Sequence, residues 1–415
     1  MKAVVFTLGC KVNESESEAL IAGLADLGYE VSDRLVPADL YIVNTCAVTA
    51  EAEKKSRQTA SRIKRLNKDA KIIFTGCAAQ SDCAAFTDKG KSVLVTGTFD
   101  KGKILSMLNE SGALISPEKK EYEELPKVKT LKTRTYIKVQ DGCDNFCSYC
   151  LIPYLRGRSR GRNPENIIAE INAVRPKEAV INGIDLSSYN YNGTDLTGLI
   201  KRLKGVDARI RLGSLEAGVI DESFLSALKD LKDFAPHFHL SLQSGSDAVL
   251  KKMNRHYTAE EFYGKVSLIR NYFKDAGITT DVIAGFPTET EEDFEKTQAF
   301  IKKAEFSDIH PFIYSPRKGT VAYKMQDLPF TVKKERLNKL LELKAKLKKN
   351  FAEKTSGKIL TVLTEEYKDG YTVGYSENYL RLYIKGEKNS GEMIKVKVIS
   401  PYKDGALAEV FSDKI

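Results

Sequence analysis

No stretch of this sequence approaches the roughly 20 uncharged apolar residues that a membrane-spanning helix needs. An export signal is also lacking: MKAVVFTLGC carries one lysine and then a short alternating run, the pattern of a first β-strand. Without export the expected compartment is the reducing cytoplasm, where cysteines serve as ligands or nucleophiles rather than in disulfides. Their odd count, seven, points the same way. Strong charge of either sign is missing too. The surplus of +9, from 65 basic and 56 acidic residues, is compatible with a polyanionic partner, and only clustering can decide. What is present, 42% apolar and 29% charged residues over 415 positions, describes a globular chain of two or three domains.

Residues 1–118 alternate short β runs with helical patterns: AVVFTLGC, ADLYIVNTC and AKIIFTGC read as strands. NESESEALIAGLADLG reads as a helix opened by a capping box between Asn13 and Glu16. This alternation predicts a doubly wound α/β domain with a mostly parallel sheet. A charged stretch, residues 119–134, reads as a linker. Over 135–330 six strand candidates (TYIKVQ, EAVING, RIRLGS, FHLSLQ, TTDVIAGF, DIHPFIYS) are separated by helical patterns, which predicts a partial (β/α)6 barrel. Its working residues should lie where strands end. Cys143, Asp185, Glu216, Gln243 and the GFP of 285–287 fall there. Residues 331–354 read as a connecting helix whose lysines form a solvated face, and 355–415 as a small β-barrel with Tyr367, Tyr371, Tyr375 and Tyr379 in its core.

Six cysteines fall into two sets. Cys143, Cys147 and Cys150 have the spacing C-x3-C-x2-C, tight enough for one loop to wrap one metal centre, either zinc or an iron–sulfur cluster. A structural zinc usually takes four protein ligands, and the nearest histidine in sequence is His237. Three ligands on a four-iron cluster leave one iron open. Cys10, Cys46 and Cys77 each end a predicted strand (TLGC, VNTC, FTGC), so a parallel sheet would bring them to one edge. Cys83 shares no such position and reads as an ordinary thiol. Four arginines, Arg156, Arg158, Arg160 and Arg162, follow the first set at alternate positions.

CDNFCSYC at the end of a first barrel strand resembles the radical S-adenosylmethionine (SAM) enzymes. With TLGCKVN, VNTCAVT, FTGCAAQ and IPYLRGRSR, the resemblance narrows to the radical SAM methylthiotransferases and covers essentially the whole chain. It makes the middle region a radical SAM barrel and the last one, carrying VGYSENYLRLYI, a TRAM-like RNA-binding barrel. GCKVN and MNRHYT resemble the branch acting on N(6)-threonylcarbamoyladenosine at tRNA position 37. The chain departs from the family's usual pattern at Gly213 and Ala217, and keeps Glu216.

The resemblance implies SAM and two [4Fe-4S] clusters. One is held by Cys143, Cys147 and Cys150 for reductive cleavage of SAM, the other by Cys10, Cys46 and Cys77 for presenting sulfur to carbon 2 of the base. It also implies SAM contacts: Tyr149 against the adenine, Gly183 and Asp185 at the amino group, Gln243 and Ser244 at ribose or carboxylate, Arg255 at a carboxylate or phosphate, with Glu216 among them. Arg156, Arg158, Arg160 and Arg162 are expected to grip the phosphates of a tRNA anticodon stem-loop while one base is splayed out. An electron donor and a sulfur source complete the expected partners of a monomer without a membrane. The rival readings are an isopentenyl-adenosine substrate, a ribosomal-protein aspartate, and a non-catalytic iron–sulfur or zinc RNA-binding protein.

Overall fold

The computed structural model describes residues 1–87, 92–126 and 133–412; the stretch 127–132 of the expected linker lies outside them. The first body is a parallel sheet of β1 (Lys2–Thr7), β2 (Glu30–Ser32), β3 (Leu40–Thr45), β4 (Lys71–Gly76), β5 (Val93–Thr96) and β6 (Gly112–Leu114), in spatial order β2-β1-β3-β4-β5-β6. β3 is buried at every position, as a central strand covered on both faces must be. Helix α1 (Lys11–Asp26) packs Leu20 and Leu24 on one face, and α2 (Ala50–Leu66) packs Ala60 and Ile63 on the other. The strand order reverses between β1 and β3, the position at which open α/β sheets bind ligands beyond their carboxyl ends.

The expected capping box does not form. Cys10 holds the N-cap of α1 with no side-chain cap, Asn13 donates to the carbonyls of Leu8 and Thr45 at 2.8 and 3.1 Å, and Glu16 is fully buried. Glu16, Leu20 and Leu24 are four residues apart and share one face, so the carboxylate is carried inward with the leucines.

Six parallel strand positions follow: β7 (Arg134–Lys138), then Glu178–Asn182, Arg209–Leu212 continued by Ser214–Leu215, His237–Gln243, Gly277–Ala284 and Asp308–Ile313. The third is interrupted at Gly213, whose N–H donates to Ile181 O at 2.8 Å; a Cβ there would stand 3.2 Å from two oxygens, which favours glycine. Among the described residues the outer strands, β7 and Asp308–Ile313, do not pair, so the barrel is open on one side. The first body stands in that gap. Ser15 of α1 donates to Tyr136 O of β7 at 2.9 Å, while Ala50 N reaches Ser315 Oγ at 3.1 Å and Glu53 pairs with Arg317 beyond the other edge.

The helix Phe330–Thr355 lays Leu340, Leu343 and Leu347 on the barrel core and Ala352 in the core of a closed five-stranded barrel. Closure leaves that last body without a free sheet edge. Its interior holds Val362, Leu382, Ile384 and Val396, and none of the four tyrosines expected there. Tyr367 is exposed, while Tyr375 and Tyr379 lie outside, Tyr379 stacked on His237 at 4.4 Å. This outer surface closes off the N-terminal ends of the six barrel strands. Residues 116–126 form a strap rather than a free spacer: Ser116 and Lys119 bond Asp100, Tyr122 donates to Lys138 O at 2.9 Å, and Glu124 pairs with Arg162 at 2.7 Å. No helix among the described residues is long and apolar enough to cross a membrane.

Candidate active site

The C-terminal ends of the barrel strands carry the first cysteine set. Gly142 turns the chain out of the barrel at a positive φ of 75°, where a side chain would collide with the Arg158 carbonyl. The loop then presents Cys143, Cys147 and Cys150 with sulfur-directed donors: Asn145 N to Cys143 at 3.5 Å, Arg255 Nη1 to Cys147 at 3.3 Å and Ile152 N to Cys150 at 3.4 Å. The segment Met253–Arg255 braces it. Met253 O accepts from Ser148 N at 3.0 Å, and Asn254 Nδ2 reaches the carbonyls of Asn145 and Phe146 at 3.2 and 3.1 Å. Burial pushes the Cys150 thiol up to about 12, so its sulfur ionises only with a compensating positive charge such as a metal centre supplies.

Cys10, Cys46 and Cys77 directly follow or closely trail β1, β3 and β4, three neighbouring strands of the other sheet. Gly9 lies against Cys46: a Cβ added there would be 3.0 Å from its Sγ. Burial, the largest influence, pushes the Cys46 thiol up to about 11. Leu155, five residues beyond Cys150, packs in the same core cluster as Cys77, so the two sets are neighbours. Among the described residues no three Cys, His, Asp or Glu side chains meet at a point suited to a single ion. Each set supplies three thiols, the number a cubane cluster would take through three different irons. Cys83 lies apart, packed at the edge of the sheet core.

Between the sets sits Arg156, fully buried. Its Nε points at Cys77 Sγ at 3.3 Å, Nη1 bonds Glu16 and Asp141 at 2.9 and 3.0 Å, and Nη2 bonds Asn13 at 2.7 Å. Glu16 also pairs with Lys101 and with Lys138 at 2.8 Å, and these cations hold it well below the usual carboxylate range despite burial. The expectation of four RNA-facing arginines is therefore corrected. Arg160 donates to the carbonyls of Arg156 and Arg158, and Arg162 pairs with Glu124 and Glu170; both are buried. Arg158 alone is exposed, lying over Phe146 and 3.2 Å from Asp144.

A model of the radical SAM superfamily matches residues 137–301, and one described as Uncharacterized protein family UPF0004 matches 2–97. The threonylcarbamoyladenosine tRNA methylthiotransferase MtaB of Bacillus subtilis is 37% identical over 100% of this chain and 98% of its own. The chain belongs to the radical SAM methylthiotransferases. The enzyme of the same name from Thermotoga maritima is 38% identical over 98% of this chain and 97% of its own. The tRNA-2-methylthio-N(6)-dimethylallyladenosine synthase of Bacillus subtilis, at 34%, aligns with 96% and 83%. Among solved structures, the radical SAM methyltransferase TsrM of Kitasatospora setae shares the fold, with a TM-score of 0.55 at 15% identity over 90% of this chain and 80% of that one. Membership of this family implies SAM and a [4Fe-4S] cluster.

The residues expected around SAM divide accordingly in this methylthiotransferase. Asp185 lies beside the cysteine loop, accepting from Asn145 Nδ2 at 3.0 Å, and Gly183 packs against Gln140. Tyr149 stands edge-on to Phe286. Burial raises the carboxyl of Glu216, which pairs with Arg255 at 2.6 Å. Two expectations are corrected. Ser244 is fully buried and bonds Thr297 at 3.2 Å, because the positive φ of Gln243, 68°, turns the chain beneath the helix Glu291–Ala304. Arg255 is committed to Glu216, Ser241 O, Tyr257 and Cys147, so it positions the loop and is not free for a phosphate. Among the described residues buried Ser148 Oγ and Asn182 Nδ2 have no partner, which leaves polar groups for a ligand beside the loop. The sequence reading missed Glu16, Lys101, Lys138 and Asp141, although Glu16 on the leucine face of α1 was a visible signal.

Proposed function

We propose that this protein adds a methylthio group to carbon 2 of N(6)-threonylcarbamoyladenosine at position 37 of tRNA. The observation that carries the reading is the linking of two cysteine triplets through Arg156, which follows the first set and points its Nε at Cys77 Sγ at 3.3 Å, in a chain whose full-length relatives are named for that reaction. Carbon 2 bears an unactivated C–H that no side-chain base usefully deprotonates. SAM and iron–sulfur clusters supply the radical and sulfur chemistry the protein lacks. Cys143, Cys147 and Cys150 hold one [4Fe-4S] cluster, with Arg255 orienting Cys147. Cys10, Cys46 and Cys77 hold the second, with Arg156 fixing Cys77. Asp185, Gly183, Tyr149 and Gln243 line the SAM end, and Arg158 meets RNA backbone at the rim. The remaining partners are an electron donor and a sulfur source, in the cytoplasm.

Mass spectrometry of digested tRNA tests this. Cells lacking the protein should lose the methylthio group from threonylcarbamoyladenosine alone, restored by the wild-type chain and not by Cys147→Ala. Loss from isopentenyl-adenosine instead would overturn the substrate assignment.

A further inference from the structure

The strand Asp308–Ile313 edges the open side of the barrel, and its side chains alternate between two faces. Ile309 points outward into the apolar core beneath the helices, as Ile278, Val282 and Ala284 do on the neighbouring strand. Asp308, His310 and Phe312 therefore face inward, in register with Thr279, Asp281 and Ile283. His239, whose neighbours Phe238 and Leu240 point outward, brings its ring within 5.5 Å of that of His310. Phe312 ends the inward row at the carboxyl end of its strand and is 52% exposed. It belongs to none of the apolar clusters, and among the described residues no other aromatic ring packs on it. Single exposed phenylalanines are ordinary on an outer surface. This one lines the opening in which the first body stands, with Asp281 and His239, 3.2 Å apart, deeper in the same wall.

The chain beyond Phe312 touches the loops of both cysteine sets. Ser315 Oγ accepts from Ala50 N, just past Cys46, at 3.1 Å. Ala322 N donates to Ser148 O, between Cys147 and Cys150, at 2.7 Å. The uncovered ring thus stands on the approach that a base must take to bring its carbon 2 to both sets. A base drawn out of an RNA loop loses its stacking neighbours, and aromatic side chains take their place. We propose that Phe312 is a substrate-binding residue, the surface on which the target adenine stacks. This rests on the function proposed above. A phenyl ring offers no hydrogen bond, so it steadies the base without reading the N6 substituent.

The test is binding, measured by fluorescence anisotropy on the full chain reconstituted anaerobically with iron and sulfide. Two anticodon stem-loop RNAs are compared, identical except that position 37 carries threonylcarbamoyladenosine or an abasic sugar. Phe312→Ala should weaken binding of the base-bearing RNA about 10- to 100-fold, the range for one base on an aromatic ring, and leave the abasic RNA unaffected. Phe312→Tyr should bind both as wild type does, and Phe312→Leu, apolar without the ring, should resemble Phe312→Ala. Equal weakening of both RNAs would mark a merely structural role and overturn the proposal. Should Phe312→Ala lose iron, the contrast between the leucine and tyrosine variants still decides. Mass spectrometry of the base-bearing RNA after reaction with wild type, SAM, dithionite and sulfide separates this claim from the function beneath it. If methylthio product forms and Phe312→Leu binds both RNAs as wild type does, only the role of Phe312 falls. If no product forms, the proposed function falls with it.

Discussion

Glu16 and Glu178 are both fully buried and each gathers three cations, yet they join different bodies to the barrel. Glu16 holds Arg156, Lys101 and Lys138, and through Arg156 it reaches a sulfur. Glu178 holds Arg134, Arg209 and Arg211, which reach the last body at Glu365, at the carbonyls of Thr361 and Ser376 at 3.0 and 3.1 Å, and at Tyr379. The same device thus serves chemistry at one interface and assembly at the other. Such nodes add little net stability, because desolvation consumes most of the Coulombic gain, but removing one partner is severe.

Replacing either acid should sharpen that contrast. Glu16→Gln leaves three cations facing one another and should cost about 3–5 kcal/mol in urea unfolding, with loss of iron from the site of Cys10, Cys46 and Cys77. Glu178→Gln should cost about as much and leave the iron content unchanged. Iron loss from both variants would dissolve the distinction. Arg156→Lys keeps the charge but not the fork. It should cost about 1–3 kcal/mol and alter the absorption of the sulfur-site cluster alone.

The pH dependence has a definite sign. Burial alone would raise Glu178, but Arg211, Arg209 and Arg134 hold it down to about 2. A depressed carboxyl stabilises above its unfolded value and loses that contribution as pH falls toward its folded one. The gap in unfolding free energy between wild type and Glu178→Gln should be full at neutral pH and shrink as pH falls from about 4.3 toward 2. The smallest effect belongs to Arg158→Ala. Its stability change should stay within about 0.5 kcal/mol, while the salt slope of tRNA binding drops by about 1 if the side chain meets one phosphate.

The grouping of the first cysteine set was legible because its members are local, contained in one loop of eight residues. The second was legible because a parallel sheet delivers all its carboxyl ends to one edge. The arginine run was misread for the converse reason. The acids that bury it, Glu16, Asp141 and Glu170, are set by tertiary packing, and alternate spacing in sequence does not say which side chains turn inward. Ser244 and the tyrosines failed likewise: Ser244 is turned by a positive φ, Tyr379 covers the end of a neighbouring barrel, Tyr367 is exposed, and Tyr371 packs on Tyr402 outside the apolar core.

The central claim is that two separate clusters are held by this chain. It is tested most directly by iron and sulfide analysis of the variant with Cys143, Cys147 and Cys150 all changed to Ala, reconstituted anaerobically beside wild type. The expected result is half the wild-type iron and sulfide with no SAM cleavage. A variant without iron would show that Cys10, Cys46 and Cys77 hold no cluster, and would contradict the account.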